Sequence, residues 1–211
     1  STGACTSSNS DSIVTGGYPG NPVNSETYNG TAWSEGNNIN EPKQAAQGTG
    51  NSSAGLNIGG KNGSNELGTC EQYDGTCWAP VNSMNTGRYL VGAAGISTAA
   101  IIGGGGVGPK NMSESWNGTC WANENNLTNA QNYNWGVGVS TAAMIGGYQP
   151  SPSWTTQQWN GTCWTLVQTT TVNHGAGGAA GTTTSAIAYG GDTPAKKTNT
   201  ESWDGTSWAT A

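Results

Sequence analysis

Residue types able to do acid–base, nucleophilic or metal chemistry are few in this chain. The single histidine, His174, cannot build a multi-histidine metal site. Nor can it serve a Ser-His-Asp triad without partners that the sequence marks nowhere. Asp and Glu number 12, but the recurrent ones, Glu26, Glu71, Glu114 and Glu201, occupy one position of a repeat, where Gln157 stands once in place of Glu. Glycoside hydrolysis needs two carboxyl groups about 5 to 10 Å apart across one bond. Equivalent residues of successive repeat units are expected farther apart than that. Asp11, Glu35, Glu41 and Glu124 are scattered at turns. The expectation is a non-enzymatic protein with no catalytic residue, no metal site and no cofactor.

Five cysteines leave at least one thiol without a partner in the chain. Cys77, Cys120 and Cys163 share one repeat position, held by Ala32 and Ser207 in the outer units, and read as small, half-buried strand residues. Only Cys70 with Cys77 could bridge, diagonally across one hairpin, and Cys5 stands apart. His174, where another unit has Arg88, reads as a plain loop or strand-end residue.

The elements that must carry these residues follow from periodicity. A six-residue phrase returns five times: Tyr28-Asn-Gly-Thr-Ala-Trp33, Tyr73-Asp-Gly-Thr-Cys-Trp78, Trp116-Asn-Gly-Thr-Cys-Trp121, Trp159-Asn-Gly-Thr-Cys-Trp164 and Trp203-Asp-Gly-Thr-Ser-Trp208, at intervals of 45, 43, 43 and 44 residues. Such a period along the whole chain marks a repeat architecture. Asn-Gly or Asp-Gly between aromatic runs predicts a hairpin with a two-residue type I′ turn. With that loop, Trp116 pairs with Thr119 and Glu114 with Trp121, so Glu114, Trp116, Thr119 and Trp121 share a face. These faces are read as the core between units, each carboxylate bonding a nearby backbone or indole N–H. A sugar-stacking platform is the rival reading.

Upstream of each hairpin lies a short apolar strand ending in Gly-Gly, as in Ala99-Ala-Ile-Ile-Gly-Gly104, preceded by a small-residue run such as Leu90-Val-Gly-Ala-Ala-Gly95. Each unit then has four strands, which makes a β-propeller blade, and five units predict an all-β five-bladed propeller of four-stranded antiparallel blades. The expected organisation is one domain over 1–211, with blades near 1–38, 39–82, 83–125, 126–168 and 169–211. Each blade is expected from contiguous sequence, the alternative being a strand exchanged between the termini. Trp33, Trp78, Trp121, Trp164 and Trp208 are the expected structural core.

Met84-Asn-Thr-Gly-Arg88, the di-glycine after Ile102, and Glu114-Ser-Trp116 with Trp121 together resemble the kelch motif. The motif's arginine appears only as Arg88, while Lys43, Gln131 and His174 hold the matching positions. The Trp-Asn/Asp-Gly-Thr-x-Trp phrasing, with Met-Asn-Thr-Gly-Arg and Ser-Thr-Ala-Ala, is similar to repeat proteins of marine bacteriophages. That resemblance implies a virion- or tail-associated structural protein at a virion surface or outside the cell.

Partners are narrowed by charge. A formal net charge of −6 with 9% charged residues would repel nucleic acid. No apolar run approaches the length of a membrane span, so no membrane insertion is expected. Loops at 35–41, 105–109, 149–154 and 192–197 differ from blade to blade. The expected role is structural or adhesive, contacting other virion or surface proteins through loop faces, with oligomers allowed. The alternative is a lectin-like propeller binding glycans, for which Tyr18, Tyr148, Trp154, Trp135 and Arg88 are the candidate ligand-binding residues, with Tyr18 and Tyr148 both following Gly-Gly. Seven Asn-x-Ser/Thr sequons add little, since several are the turn motif itself.

Overall fold

The computed structural model describes residues 4–5, 10–148, 154–192 and 195–211. It is an all-β five-bladed β-propeller, consistent with the kelch type, and each blade is a four-stranded antiparallel sheet. Blade one holds β1 (Ala4–Cys5), β2 (Ser12–Thr15), β3 (Ser25–Tyr28) and β4 (Trp33–Gly36). Blade two holds β5 (Gln47–Asn51), β6 (Ala54–Ile58), β9 (Cys70–Tyr73) and β10 (Trp78–Val81), with the two-stranded insert β7 (Lys61–Asn62) and β8 (Asn65–Glu66). Blade three holds β11 (Gly92–Ile96), β12 (Ala99–Gly103), β13 (Ser113–Trp116) and β14 (Trp121–Glu124). Blade four holds β15 (Asn132–Val139), β16 (Ala142–Tyr148), β17 (Thr156–Trp159) and β18 (Trp164–Val167). Blade five holds β19 (Gly178–Gly181), β20 (Ala186–Tyr189), β21 (Thr200–Trp203) and β22 (Trp208–Thr210). In every blade the strands are hydrogen-bonded in chain order, so each is built from contiguous sequence.

Two compact units emerge from the packing: residues 1–89 with 96–100 and 116–122, and residues 90–95 with 101–115 and 123–211. In the first, Ile13, Ile39, Tyr73 and Trp78 form a buried cluster between blades one and two, with Val23 against it. In the second, Trp159 and Trp164 pack on Ala94, Ile101 and Leu127, while Trp203 and Trp208 pack on Trp135, Val137 and Met144. In these clusters the aromatic pair of blades two, four and five buries apolar second-strand residues of the blade before it. Large rings do here what many aliphatic side chains do in ordinary cores.

Small residues in the first strands answer to crowding. A β-carbon added at Gly92 would lie 2.7 Å from Ile145 Cγ2 and 2.9 Å from the Trp135 carbonyl. In blade two the di-glycine after the second strand turns the chain out of the sheet, whereas in blade four β16 continues through Gly146 and Gly147 to Tyr148. Gly59 and Gly60 have φ of 58° and 112°, conformations that L side chains resist.

The hairpin register differs from the expected one. Tyr73 pairs with Trp78, Trp159 with Trp164 and Trp203 with Trp208, so the loop has four residues rather than two. Only its glycine takes positive φ, 92° at Gly161, so no type I′ turn forms. The reason is the side chain ahead of the glycine. Asn160 Oδ1 accepts from the backbone N–H groups of Thr162 and Cys163, both at 2.9 Å, and the Asn160 N–H donates to the Cys163 carbonyl. Asp74 and Asp204 do the same, which explains why Asn and Asp interchange: only an oxygen is required. Asn160→Asp should therefore leave the thermal midpoint nearly unchanged. Asn160→Ala should cost about 1 kcal/mol, read from denaturant unfolding of the two variants. Thr119 belongs to the equivalent loop and does not stand beside Glu114 and Trp116 on the sheet face.

Candidate functional site

The four-residue loop leaves a regular surface on the last two strands of each blade. The two aromatics stand side by side, with ring centroids 5.0 to 5.4 Å apart in all five blades. Two residues before the first aromatic, on the same face by strand alternation, stands the recurrent Glu or Gln. Ring pair and carboxylate together form a socket.

Four sockets correspond to a five-residue segment lying between one blade's last strand and the next blade's first: residues 39–43, 84–88, 127–131 and 170–174. In blade two, Ile39 is buried against Tyr73 and Trp78. Glu71 accepts from the backbone N–H groups of Asn40 at 2.7 Å and Glu41 at 3.1 Å, and from Asn40 Nδ2 at 2.8 Å. Lys43, fully buried, brings Nζ to 3.7 Å from Glu71 and 3.7 Å from Glu41, with Thr69 Oγ1 at 3.4 Å. Blade five repeats the plan. Glu201 accepts from the N–H groups of Thr171 at 2.8 Å and Val172 at 3.2 Å, and from His174 Nε2 at 2.8 Å. Nδ1 of His174 lies 2.8 Å from the Gly190 carbonyl.

His174 is therefore no plain loop residue. It is buried, and its two ring nitrogens lie 2.8 Å from the Gly190 carbonyl and 2.8 Å from the Glu201 carboxylate. Its equivalents are lysine and arginine. Blade four shows the neutral version: Gln157 bonds both backbone groups of Asn129, and Gln131 stands where the cations stand elsewhere. Lys43 lies beside Glu71 and His174 beside Glu201, while blade four carries the neutral Gln131 and Gln157 at the corresponding positions. Arg88 and Glu114, both buried, hold the corresponding positions for blade three.

Burial pushes the Glu201 carboxyl up, but the bonds from Thr171, His174 and Val172 outweigh it and hold it below the usual glutamate range. The sign follows from the lowered folded-state value. The stabilisation is complete above the ordinary glutamate pKa and fades as pH falls through the folded one. Urea midpoints should drop on acidification below about pH 4, and Glu201→Gln should flatten that acid limb. Asp204 is lowered to about 2 by the Ser207 N–H, the Thr206 hydroxyl and the Thr206 N–H, at an exposed turn.

The other candidate residues fall into two groups. Trp135 is packed edge-on against Trp208 at 5.8 Å, and Arg88 is fully buried, so neither side chain is offered to a ligand. Tyr18 is exposed, Tyr148 is half-buried with its ring 6.4 Å from that of Tyr133, and Trp154 is half-buried. The loop stretches 149–153 and 193–194 lie outside the described residues. Trp78, Trp121, Trp164 and Trp208 are core, whereas Trp33 is 49% exposed. Cys70 and Cys77 do not bridge. Cys70 pairs with Val81 at one end of its hairpin and Cys77 sits in the loop at the other. Burial raises the Cys70 thiol's pKa, the opposite of what a nucleophile needs. Cys5's side chain lies outside the described residues.

A polar concavity of about 450 Å³ is lined by Ser10, Asp11, Asn51, Ala54, Ile96 and Ser97, and Asp11 there is tied to the Ser52 N–H at 2.7 Å. Among the described residues no three His, Cys, Asp or Glu side chains converge as metal ligands would. No helix among the described residues is long and apolar enough to cross a membrane. No protein-family model matches this chain, and no curated protein matches it.

The cation–carboxylate pairing was within reach of the sequence. Lys43, Arg88, Gln131 and His174 precede Glu71, Glu114, Gln157 and Glu201 by 28, 26, 26 and 27 residues, and the two blade-four positions are neutral together.

Proposed function

We propose that this chain is a non-enzymatic structural and interaction protein, displayed on a virion or cell surface and binding protein partners through propeller loops. One contrast carries the reading. In blades two and five the recurrent glutamates, Glu71 and Glu201, are consumed inside the scaffold by backbone N–H groups and by Lys43 and His174, while the loops between strands vary from blade to blade. Buried strands that repeat and exposed loops that do not are what a scaffold for contacts requires. Val107, 75% exposed in the 105–109 loop, and Tyr18, 65% exposed, are the apolar side chains most available to a partner. The similarity of the Trp-Asn/Asp-Gly-Thr-x-Trp phrasing to marine bacteriophage repeat proteins supports the virion setting.

The test is recovery of the chain with its source particle. Density-gradient fractions of particles, membranes and culture fluid are probed by mass spectrometry, alongside a variant whose 105–109 loop is replaced by Gly and Ser. The reading requires association with particles or cell surfaces that weakens in the loop variant. Recovery only as free protein overturns it. A glycan-binding role is favoured by Tyr18 alone, and loss of glycan-array signal in Tyr18→Ala would select it.

A further inference from the structure

Blade one carries the same socket as the others, and no described residue of its own compact unit covers it. Its ring pair, Tyr28 with Trp33, stands at 5.1 Å and 35°, against 5.0 Å and 35° for Tyr73 with Trp78, so the aromatic surface is already in its filled-state geometry. Yet Trp33 is 49% exposed, where Trp78, Trp121, Trp164 and Trp208 are 5 to 7% exposed. Glu26, the counterpart of Glu71 and Glu201, is exposed and accepts no hydrogen bond from a described residue. Glu35 lies directly opposite Glu26 across β3 and β4. The corresponding partners elsewhere are Pro80, Leu166 and Thr210. Two facing carboxylates repel unless a cation lies between them.

We propose that the Glu26–Tyr28–Trp33 socket is a binding site for a basic peptide segment of the type found at residues 39–43 and 84–88. Such a segment has an apolar side chain, then Asn or Thr, then two residues, then Lys, Arg or His. The filled sockets state the chemistry. The apolar residue lies on the ring pair, as Ile39 does on Tyr73 and Trp78. The next two backbone N–H groups meet the carboxylate, as in Asn40 and Glu41 with Glu71 or Thr171 and Val172 with Glu201. The Asn side chain reaches the second aromatic's carbonyl, as Asn40 Nδ2 does with Trp78 at 2.9 Å and Asn85 Nδ2 with Trp121 at 3.3 Å. The cation then neutralises the carboxylate, and in blade one Glu35 doubles the negative charge it meets. This site does not depend on the loop-face reading above.

The test uses the whole chain and a synthetic peptide copying residues 83–89, Ser-Met-Asn-Thr-Gly-Arg-Tyr. The probe is the Trp33 indole N–H resonance, assigned by its loss in Trp33→Phe. A saturable shift of that resonance is expected. Affinity should fall about ten-fold or more in Glu26→Gln, and by a similar factor when the peptide carries Gln in place of Arg. Both changes are at solvent or in the peptide, so folding of the chain is not at stake. No shift at Trp33, or equal affinity across the three pairings, overturns the proposal. So does concentration-dependent self-association that covers Trp33 and that the peptide fails to reverse, which would assign the face to a second copy instead.

Discussion

Trp164→Ala should lower the unfolding free energy by about 3–5 kcal/mol, while Trp33→Ala should cost about 1 kcal/mol or less. The two tryptophans share a repeat position and the same ring partner geometry. They differ in what covers them. Trp164 is 5% exposed, lies in the cluster of Ala94, Ile101 and Leu127, and donates its indole N–H to Ser113 Oγ at 3.1 Å. Truncation there opens a cavity walled by two sheets and removes the indole bond to the Ser113 hydroxyl, which keeps only its own bond to the Asn125 carbonyl at 2.9 Å. At Trp33 half the ring is already in water. Guanidinium unfolding followed by circular dichroism measures both. Comparable losses at the two positions would mean that Trp33 is buried in solution.

Gln131→Arg alone should cost about 3–5 kcal/mol, because it places a cation in a buried position of a blade whose counterpart to the glutamates, Gln157, is neutral. Adding Gln157→Glu should recover more than about 1.5 kcal/mol of that loss through direct coupling. The reconstructed pair copies the arrangement seen with Lys43 and Glu71, where backbone N–H groups and a side-chain cation converge on one carboxylate. Gln157→Glu by itself should also destabilise, since the amide now bonds both the N–H and the carbonyl of Asn129. A carboxylate keeps the first bond and repels the second partner. A double-mutant cycle from urea unfolding gives the coupling. Additive losses would mean that positions 131 and 157 do not share a site.

These two experiments probe parts of the protein that the sequence reveals to different degrees. The aromatic phrase exposes the hairpins, because a turn needs its Gly and a sheet face needs its rings at fixed local spacing. The glutamates are visible as a column beside the aromatics for the same local reason. The turn type is not legible locally, because Asn-Gly suits a two-residue loop as well as a four-residue one. The choice falls to side-chain oxygen bonds two and three residues on, which close the longer loop. His174 shows a different difficulty. Its partner Glu201 is 27 residues away, beyond any local pattern, and only comparison across blades, with Gln131 and Gln157 neutral together, hints at the pairing.

Repetition of short-range patterns was enough to dictate five blades of four antiparallel strands, since strand alternation, turn chemistry and small-residue crowding all act within a few residues. Packing between sheets decided the rest. It set which cation meets which carboxylate, which tryptophans are dry, and that Glu26 and Trp33 of the first blade stand exposed. Those outcomes depend on distances between residues far apart in the chain, and such distances exist only once the sheets have come together.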